Sequence, residues 1–380
     1  MKRRTQISIR QLYVIALVWL VVGLIITVYD YFVIHTHSSI GPTADYSFLF
    51  SLALNSAAAL IGASIGGSFL VFYINVKYRD KPYGYTIIAV SLSFILIVSF
   101  IAFTIGIITG FVRDGKSITE LFSGSGFPGL SGSQAGFPFD SARTIKNTIV
   151  WSVVVGLTQL FLQMNSKFGY GVFWNILRGK YNTPKEEHRI FMSLDLNSST
   201  TIAEELGNEK YHALLKDFYS DITNPIIDNK GEIYQYVGDE VIIAWKYEDG
   251  IARNQCLKCF FDMKEQFEIN KDKYLHRYGT IPSFKAGLHW GKVIVGEVGI
   301  IKRDITYSGD VLNTTSRIRD KCKEFNVEVI ASADLLNELD IFLHDKSTLQ
   351  VNYVTRQLGA INLRGKGKEI ILSALVPAEQ

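Results

Sequence analysis

The chain has 380 residues, 48% of them hydrophobic, and a formal net charge of +3, with a mean hydropathy of +0.16. This length suits two domains, and the apolar excess is greater than that of an ordinary soluble protein. The charge is near balance, so no nucleic-acid partner is expected.

The excess collects before Met164, and the rest reads as a charged soluble domain. Segment 12–34 (LYVIALVWLVVGLIITVYDYFVI) carries one charge, Asp30, near its far end. At ~1.5 Å per residue it is long enough to cross a bilayer. Segments 48–76 and 85–112 have no ionisable side chain except tyrosine. Segment 148–164 is the shortest and carries Gln159 and Gln163. These lengths favour membrane spans over buried core helices.

Basic clusters flank the spans: Lys2, Arg3, Arg4 and Arg10; then Lys77, Arg79 and Lys81; then Lys167, Arg178 and Lys180. They place these ends and both termini on the cytoplasmic side of a multi-pass protein of the cell (inner) membrane. The first span is too long for a cleavable signal and lacks a small-residue cleavage site. Outer loop 113–146 contains LFSGSGFPGLSGSQAGFPFDS. It reads as a flexible loop, or as a sensor element with Phe127 and Phe137 folded onto the membrane domain. In the second span Ala58, Gly62 and Gly66 form a small-xxx-small row, either a dimer seam or internal packing. Asp30 and Asn55 are the polar candidates for a transport path in the first two spans.

Residues 166–188 read as a connector, with Pro184 starting a new element and Glu186 and Glu187 near a helix N-terminus. Beyond it, strand-like and helical runs alternate. They are strand RIFMSLDL, helix 199–227, hairpin EIYQYVGDEVIIAW about Gly238 to Glu240, helix 251–269, strands SFKAGLHWG and KVIVGEVG, helix 311–323 and strand 327–331. This order suits helices on one face of an antiparallel sheet. Cys256 and Cys259 form a CxxC without a second pair or paired histidines, so they read as helix-face cysteines rather than zinc ligands. With Cys322 they lie in the cytoplasmic half, where structural disulfides are not expected.

Asp195 closes the first of these strands and Asp239 sits at the hairpin tip. Neighbouring strand ends would bring the two carboxylates together, where they could share hard divalent cations for phosphoryl or nucleotidyl transfer. LNSST leads into a helix N-terminus whose free amides, with Ser198, Ser199 and Thr200, can hold phosphate oxygens. One of these hydroxyls alternatively serves as an N-cap.

Five runs follow one another over residues 189–375: FMSLDLNSSTTIAEELG, YVGDEV, GLHWGKVIVGEVG, TYSGDVLNTTSRI and LRGKGKEI. Together they resemble the class III nucleotide cyclase catalytic domain of adenylyl and guanylyl cyclases, in its membrane-anchored bacterial form. Diguanylate cyclases share the GDE but give no account of LNTTSR and LRGK. The chain then reads as an α-helical four-span membrane domain (1–165), a connector (166–188) and, as the resemblance implies, an α+β, ferredoxin-like catalytic domain (189–380). It makes Asp195 and Asp239 the ligands of two Mg2+ or Mn2+ ions, with the Leu196 carbonyl a further ligand. Asn313 would orient the ribose, Arg317 would stabilise charge on the transferring phosphate, and Lys366 would contact the terminal phosphates. Gln235 and Thr306 occupy the purine-reading positions. Thr306 fits an adenylyl enzyme, whereas Gln235 departs from both patterns, and its amide can serve either purine edge. ATP is preferred over GTP on this reading.

Asn313 and Arg317 stand four apart on a helix and share a face. The resemblance implies a site built across a dimer, with aspartates from one subunit and the Asn/Arg pair from the other. Each set occurs once here, so the expectation is a homodimer. The other classes are a receptor whose cyclase domain is catalytically silent, and a transporter with a nucleotide-binding regulator. The intact Asp195, Asp239, Asn313 and Arg317 argue against the first, and Asp30 and Asn55 lend thin support to the second.

Overall fold

A computed structural model describes residues 3–36, 48–78, 81–97, 141–169, 172–342, 353–364, 367 and 369–377. The loop with Phe127 and Phe137, the span 85–112 beyond Ile97, and Lys366 lie outside the described residues. The chain divides into two compact units, Ile7–Phe168, and Gly169–Gln380 with Met1–Gln6.

The first unit is helical. Helix α1 (Arg3–Thr36) is followed by α2 (Phe48–Gly62), which runs on through π-helical turns at Ala63–Gly67 and Phe69–Ile74 to Lys77. The apolar helix α3 (Tyr83–Ile97) and the 28-residue α4 (Ser141–Phe168) complete it. Among the described residues, three stretches are long and apolar enough to cross a membrane: Arg3–Val33, Ser51–Lys77 and Lys146–Phe168. The last is longer than the 148–164 read from sequence, because the helix extends past Gln163 to Phe168.

The glycine row of α2 is filled from within the chain. A Cβ on Gly62 would meet the Trp19 ring at 3.3 Å, and one on Gly66 would meet it at 3.6 Å. Trp19 also donates from Nε1 to Thr158 Oγ1 at 2.9 Å and packs 5.7 Å from the Trp151 ring. Gly62 and Gly66 are therefore internal packing, not an open seam. Asn55 donates to Thr27 Oγ1 at 2.8 Å, and Asp30 is ion-paired with Lys146. Both polar groups have partners inside the unit, as groups in an apolar bundle must.

The second unit opens with the short helix α5 (Val172–Leu177) and is built on an eight-stranded sheet of order β2-β3-β1-β4-β6-β8-β7, with β5 paired to β4. The strands are β1 (Lys185–Leu196), β2 (Glu232–Val237), β3 (Glu240–Lys246), β4 (Phe284–Val298), β5 (Asp304–Ser308), β6 (Val329–Ser332), β7 (Tyr353–Ile361) and β8 (Ile370–Pro377). All neighbours are antiparallel except β4 and β6. Strand alternation gives β1 two different faces. Ile190, Met192, Leu194 and Leu196 point into the main core, whereas Phe191 packs with Ala244, Val293 and Val311 on the other face.

On the main-core face lie helix α6 (Ser199–Asp228) and helix α7 (Gln255–Ile269). Leu214, Phe218, Ile222 and Ile226 recur every four residues along α6 and form its buried stripe. Phe218 stacks on Phe267 of α7 at 5.2 Å. Helix α8 (Lys271–Tyr278), which ends at Gly279 in the left-handed conformation (φ 71°), and helix α10 (Ala333–Phe342) extend this layer. Helix α9 (Asp310–Phe325) packs on the opposite face through Val311 and, further along, through Ile318 and Cys322 against Ile330.

Four sequence expectations are corrected here. Helices cover both sheet faces rather than one, because β1 is apolar on both sides at Phe191 and Ile190. Glu186 and Glu187 lie in β1, opposite Ile294 and Val293, not at a helix N-terminus; Glu187 is satisfied there by Arg189 and Lys180. SFKAGLHWG and KVIVGEVG form the single strand β4, and Gly291 between them is a close approach rather than a turn. A Cβ there would meet Val311 at 2.8 Å. The helix expected over 251–269 starts at Gln255, after Arg253 and Asn254 adopt positive φ.

Cys256 and Cys259 sit in the core of α7 among Leu257, Phe260 and Met263. Burial pushes the Cys256 thiol up to about 12 and holds that of Cys259 well above its usual value. Such thiols are poor metal ligands at neutral pH.

Candidate active site

The hairpin β2–β3 turns at Gly238 (φ 64°) and Asp239. Glycine is needed there because the left-handed backbone crowds any Cβ. Register then decides which side chains meet. Asp195 lies directly across from Glu240 on β3 and from Lys285 on β4, so Asp239 is one residue beyond the partner of Asp195. The two carboxylates share a neighbourhood, since both act on the same two phenols. Burial, then Asp239, then lesser effects including Asp195, raise the pKa of the Tyr219 hydroxyl. Burial and the same two charges also raise that of Tyr211.

Tyr219 therefore stays protonated and donates to the Gly238 carbonyl at 2.7 Å, pinning the turn that presents Asp239. Asp195 pairs with Lys285 Nζ at 3.1 Å; their side chains are 18% and 22% exposed. Asp239 makes no hydrogen bond or ion pair among the described residues. Glu240 is turned to other work: it accepts from Ser193 Oγ at 2.6 Å and pairs with Arg319 at 2.8 Å.

Leu196 ends β1 with its side chain buried. Ser198 has positive φ (53°) and is exposed; it starts α6 without a side-chain cap, while its carbonyl accepts from Ile202 N at 3.0 Å. The N-terminal amides of α6 therefore keep no hydroxyl from Ser198. Ser199 is hydrogen-bonded to Tyr211, and Thr200 is exposed. Gln235 is exposed on β2, just after a bulge, and Thr306 is half-buried on β5 opposite Gly296.

Asn313 and Arg317 lie on α9, whose buried side is Val311, Thr314, Thr315, Ile318 and Cys322. At 3.6 residues per turn, positions 313 and 317 fall on the opposite side, turned away from their own sheet. Asn313 is exposed, and among the described residues Arg317 has no ion-pair partner. No hydrogen bond or ion pair links either residue to Asp195 or Asp239 among the described residues. The structure thus sets the aspartates at neighbouring strand ends and turns Asn313 and Arg317 away from their own sheet.

Lys285, Glu240, Arg319, Tyr211 and Tyr219 were not legible as site residues. Glu240 follows Asp239 in the GDE, but the others depend on strand register and helix packing that no local pattern carries.

The site thus lies on a mixed α+β sheet, with two carboxylates at adjacent strand ends and Arg317 on a helix face turned from the sheet. The adenylate and guanylate cyclase catalytic domain family matches over residues 182–373, and the chain belongs to that family. It is similar to "Adenylate cyclase 2" of Rhizobium meliloti (strain 1021), at 32% identity over 232 residues, 60% of this chain and 61% of that protein. It is also similar to "Adenylate cyclase 1" of the same organism, at 28% over 146 residues, 37% of this chain and 22% of that protein. The chain thus spans less than two thirds of each. A solved bacterial light-regulated adenylyl cyclase has the same fold at 19% identity and a TM-score of 0.50, covering 66% of this chain and 73% of its own.

Proposed function

We propose that this chain is a membrane-anchored adenylate cyclase that converts ATP to 3',5'-cyclic AMP and pyrophosphate between two copies of itself. The observation that carries the reading is the divided site. Asp195 and Asp239 stand at neighbouring strand ends, while Arg317, without an ion-pair partner among the described residues, sits on the far side of α9.

Asp195, Asp239 and the Leu196 carbonyl would hold two magnesium or manganese ions. Two carboxylates are too few for an all-protein cage, and they suit a hard cation that completes its shell with water and substrate phosphates. When bound, the cations neutralise phosphate charge and make the ribose 3'-hydroxyl easier to deprotonate. Arg317, always charged, donates to the α-phosphoryl oxygens as negative charge builds there. The 3'-oxygen bonds to the α-phosphorus, the bond to the β-phosphate oxygen breaks, pyrophosphate leaves, and the hydroxyl proton passes to water. Asn313 orients the ribose. Ser198, Ser199, Thr200 and the first amides of α6 hold phosphate oxygens, and Lys366 meets the terminal phosphates.

Gln235 and Thr306 read the purine. Thr306 and relatives named adenylate cyclases favour ATP; the two-way hydrogen bonding of Gln235 makes GTP the second reading. The membrane unit would contribute four spans, with both termini on the inner side. Domain limits at 165 and 188 go with that reading.

The test is the full-length chain purified with manganese and ATP, with cyclic AMP as the readout and GTP alongside. Asp239→Ala and Arg317→Ala each abolish product without lowering the melting temperature. Co-expressed, the two variants regain activity through one intact interfacial site. Full activity in either variant, or no recovery in proven heterodimers, refutes the assignment.

A further inference from the structure

Strands β2 and β5 are four steps apart along β2, β3, β1, β4 and β5, or about 19 Å in a flat sheet. Yet the rings of Tyr234 and Tyr307 lie 4.7 Å apart at 65°, and Tyr307 N donates to Tyr234 Oη at 3.3 Å. Strand β4 therefore carries β5 back over the sheet, where Tyr307 also meets Phe191 at 5.3 Å. Tyr234 is the extra residue of a bulge, since Ile233 pairs with Ile243 and Gln235 with the very next residue, Ile242. Bulges re-aim the side chains beside them.

Beside the Tyr307 ring lies Arg189, only 2% exposed, with its guanidinium 5.4 Å from the ring centre. Glu187 Oε2 accepts from both Nε (2.9 Å) and Nη2 (2.6 Å) of Arg189. A buried guanidinium stacked on a ring and tied to a carboxylate is a stiff support.

The chain neighbours of the two tyrosines are Gln235 and Thr306. We infer that Tyr234 and Tyr307, the latter seated on Arg189, are positioning residues that fix the spacing of Gln235 and Thr306 and so set the ratio in which the site takes ATP and GTP. This rests on the proposed cyclase reading for the roles of those two positions. A polar site discriminates by which donors and acceptors it holds against the base edge, so a change in spacing trades one purine for the other. A support with no bearing on the site would weaken both alike.

The experiment compares the full-length chain in detergent with Tyr234→Phe, which removes the acceptor of Tyr307 N, and Tyr307→Leu, which removes the ring on Arg189. Dissociation constants for ATP and GTP are measured by calorimetry, and kcat/KM is measured for each nucleotide. The expected result is a shift of at least about fivefold in the ATP:GTP ratio of dissociation constants in both variants. Tyr234→Phe should melt with the wild type. A ratio within about twofold of wild type in both variants, with the two nucleotides weakening together, overturns the inference. So does failure of the wild-type chain to bind either nucleotide. If Tyr307→Leu does not fold, Tyr234→Phe decides alone. Binding without cyclic product, together with a shifted ratio, would refute the proposed activity and leave this inference standing; an active enzyme with an unchanged ratio would do the reverse.

Discussion

Gly287 lies mid-strand in β4, opposite Ser193 of β1 and beside Ile330 of β6. Its missing side chain is what lets α9 rest on the sheet. A Cβ there would come within 2.4 Å of Arg319 N, 2.6 Å of Thr315 O and 2.8 Å of Arg319 Cα. All three are backbone atoms, so no rotamer change relieves the clash. Ordinary contact starts at 3.4 Å, and Gly287→Ala must therefore push the helix out by roughly 1 Å. Overpacking of this kind costs about 1–3 kcal/mol, and a backbone clash belongs at the upper end. At about 2–4 °C per kcal/mol, the catalytic unit should melt about 6–12 °C lower. The same displacement moves Asn313 and Arg317, and a misplacement of ~1 Å costs about 100-fold in turnover. Calorimetry and cyclic AMP formation on the full-length chain read the two effects together. Melting within about 1 °C of wild type with unchanged turnover would refute the argued contact.

Burial alone would raise the pKa of Glu187, but Lys180 and Arg189 outweigh it and hold the carboxyl below its usual value. Its stabilisation is thus full above about pH 4.3 and lost as pH falls through the lower folded-state pKa. Glu187→Gln should lower the melting temperature at neutral pH and flatten its fall on acidification; parallel acid profiles would count against this. Tyr219→Phe frees the turn bearing Asp239, so manganese binding measured by calorimetry should weaken about threefold to tenfold, as the loss of one hydrogen bond worth about 1 kcal/mol allows. Unchanged binding would show that the turn holds itself. Lys285→Met removes the charge that competes for Asp195, and manganese should bind about fivefold tighter, matching about 1 kcal/mol for a part-exposed pair. Weaker binding would mean that Lys285 supports the site rather than competing for it.

The strand ends and the hairpin tip were readable because local chemistry dictates them. An apolar run stops at Asp195, and Gly238 must turn. Helix α9 was readable from its apolar stripe, and with it the pairing of positions 313 and 317 on one face. What could not be read depends on distant partners. The two glutamates of β1 look like a helix start until Arg189 and Lys180 are placed beside Glu187. SFKAGLHWG and KVIVGEVG look like two strands until Gly291 is found packed against Val311 within one. Lys285 becomes a neighbour of Asp195 only through the β1–β4 register, and a one-residue slip would have turned it to the other face. The meeting of Tyr234 with Tyr307 needs both a bulge and a folded-back strand, neither of which has a signature in a single run of residues. The glycine row of α2 was legible as a place for close contact, but its occupant, Trp19, was not.

The divided charge bears on assembly. Asp239 and Arg317 carry opposite charges, and neither has an ion-pair partner among the described residues. In a single site both would belong beside the same phosphates. Helix α9 cannot turn Arg317 toward its own sheet, because its opposite stripe, Val311, Thr315 and Ile318, is what holds it there. Rotating the helix by half a turn would expose that stripe and bury a guanidinium without a partner, a loss of several kcal/mol by either route. A two-fold-related second copy would let each aspartate pair face a partner's α9. Membrane spans would confine two copies to a plane and raise their effective concentration. On this argument dilution in detergent should lower specific activity, and covalent linkage of two copies should restore it. Activity independent of dilution down to the point where only monomer remains would place the whole site within one chain.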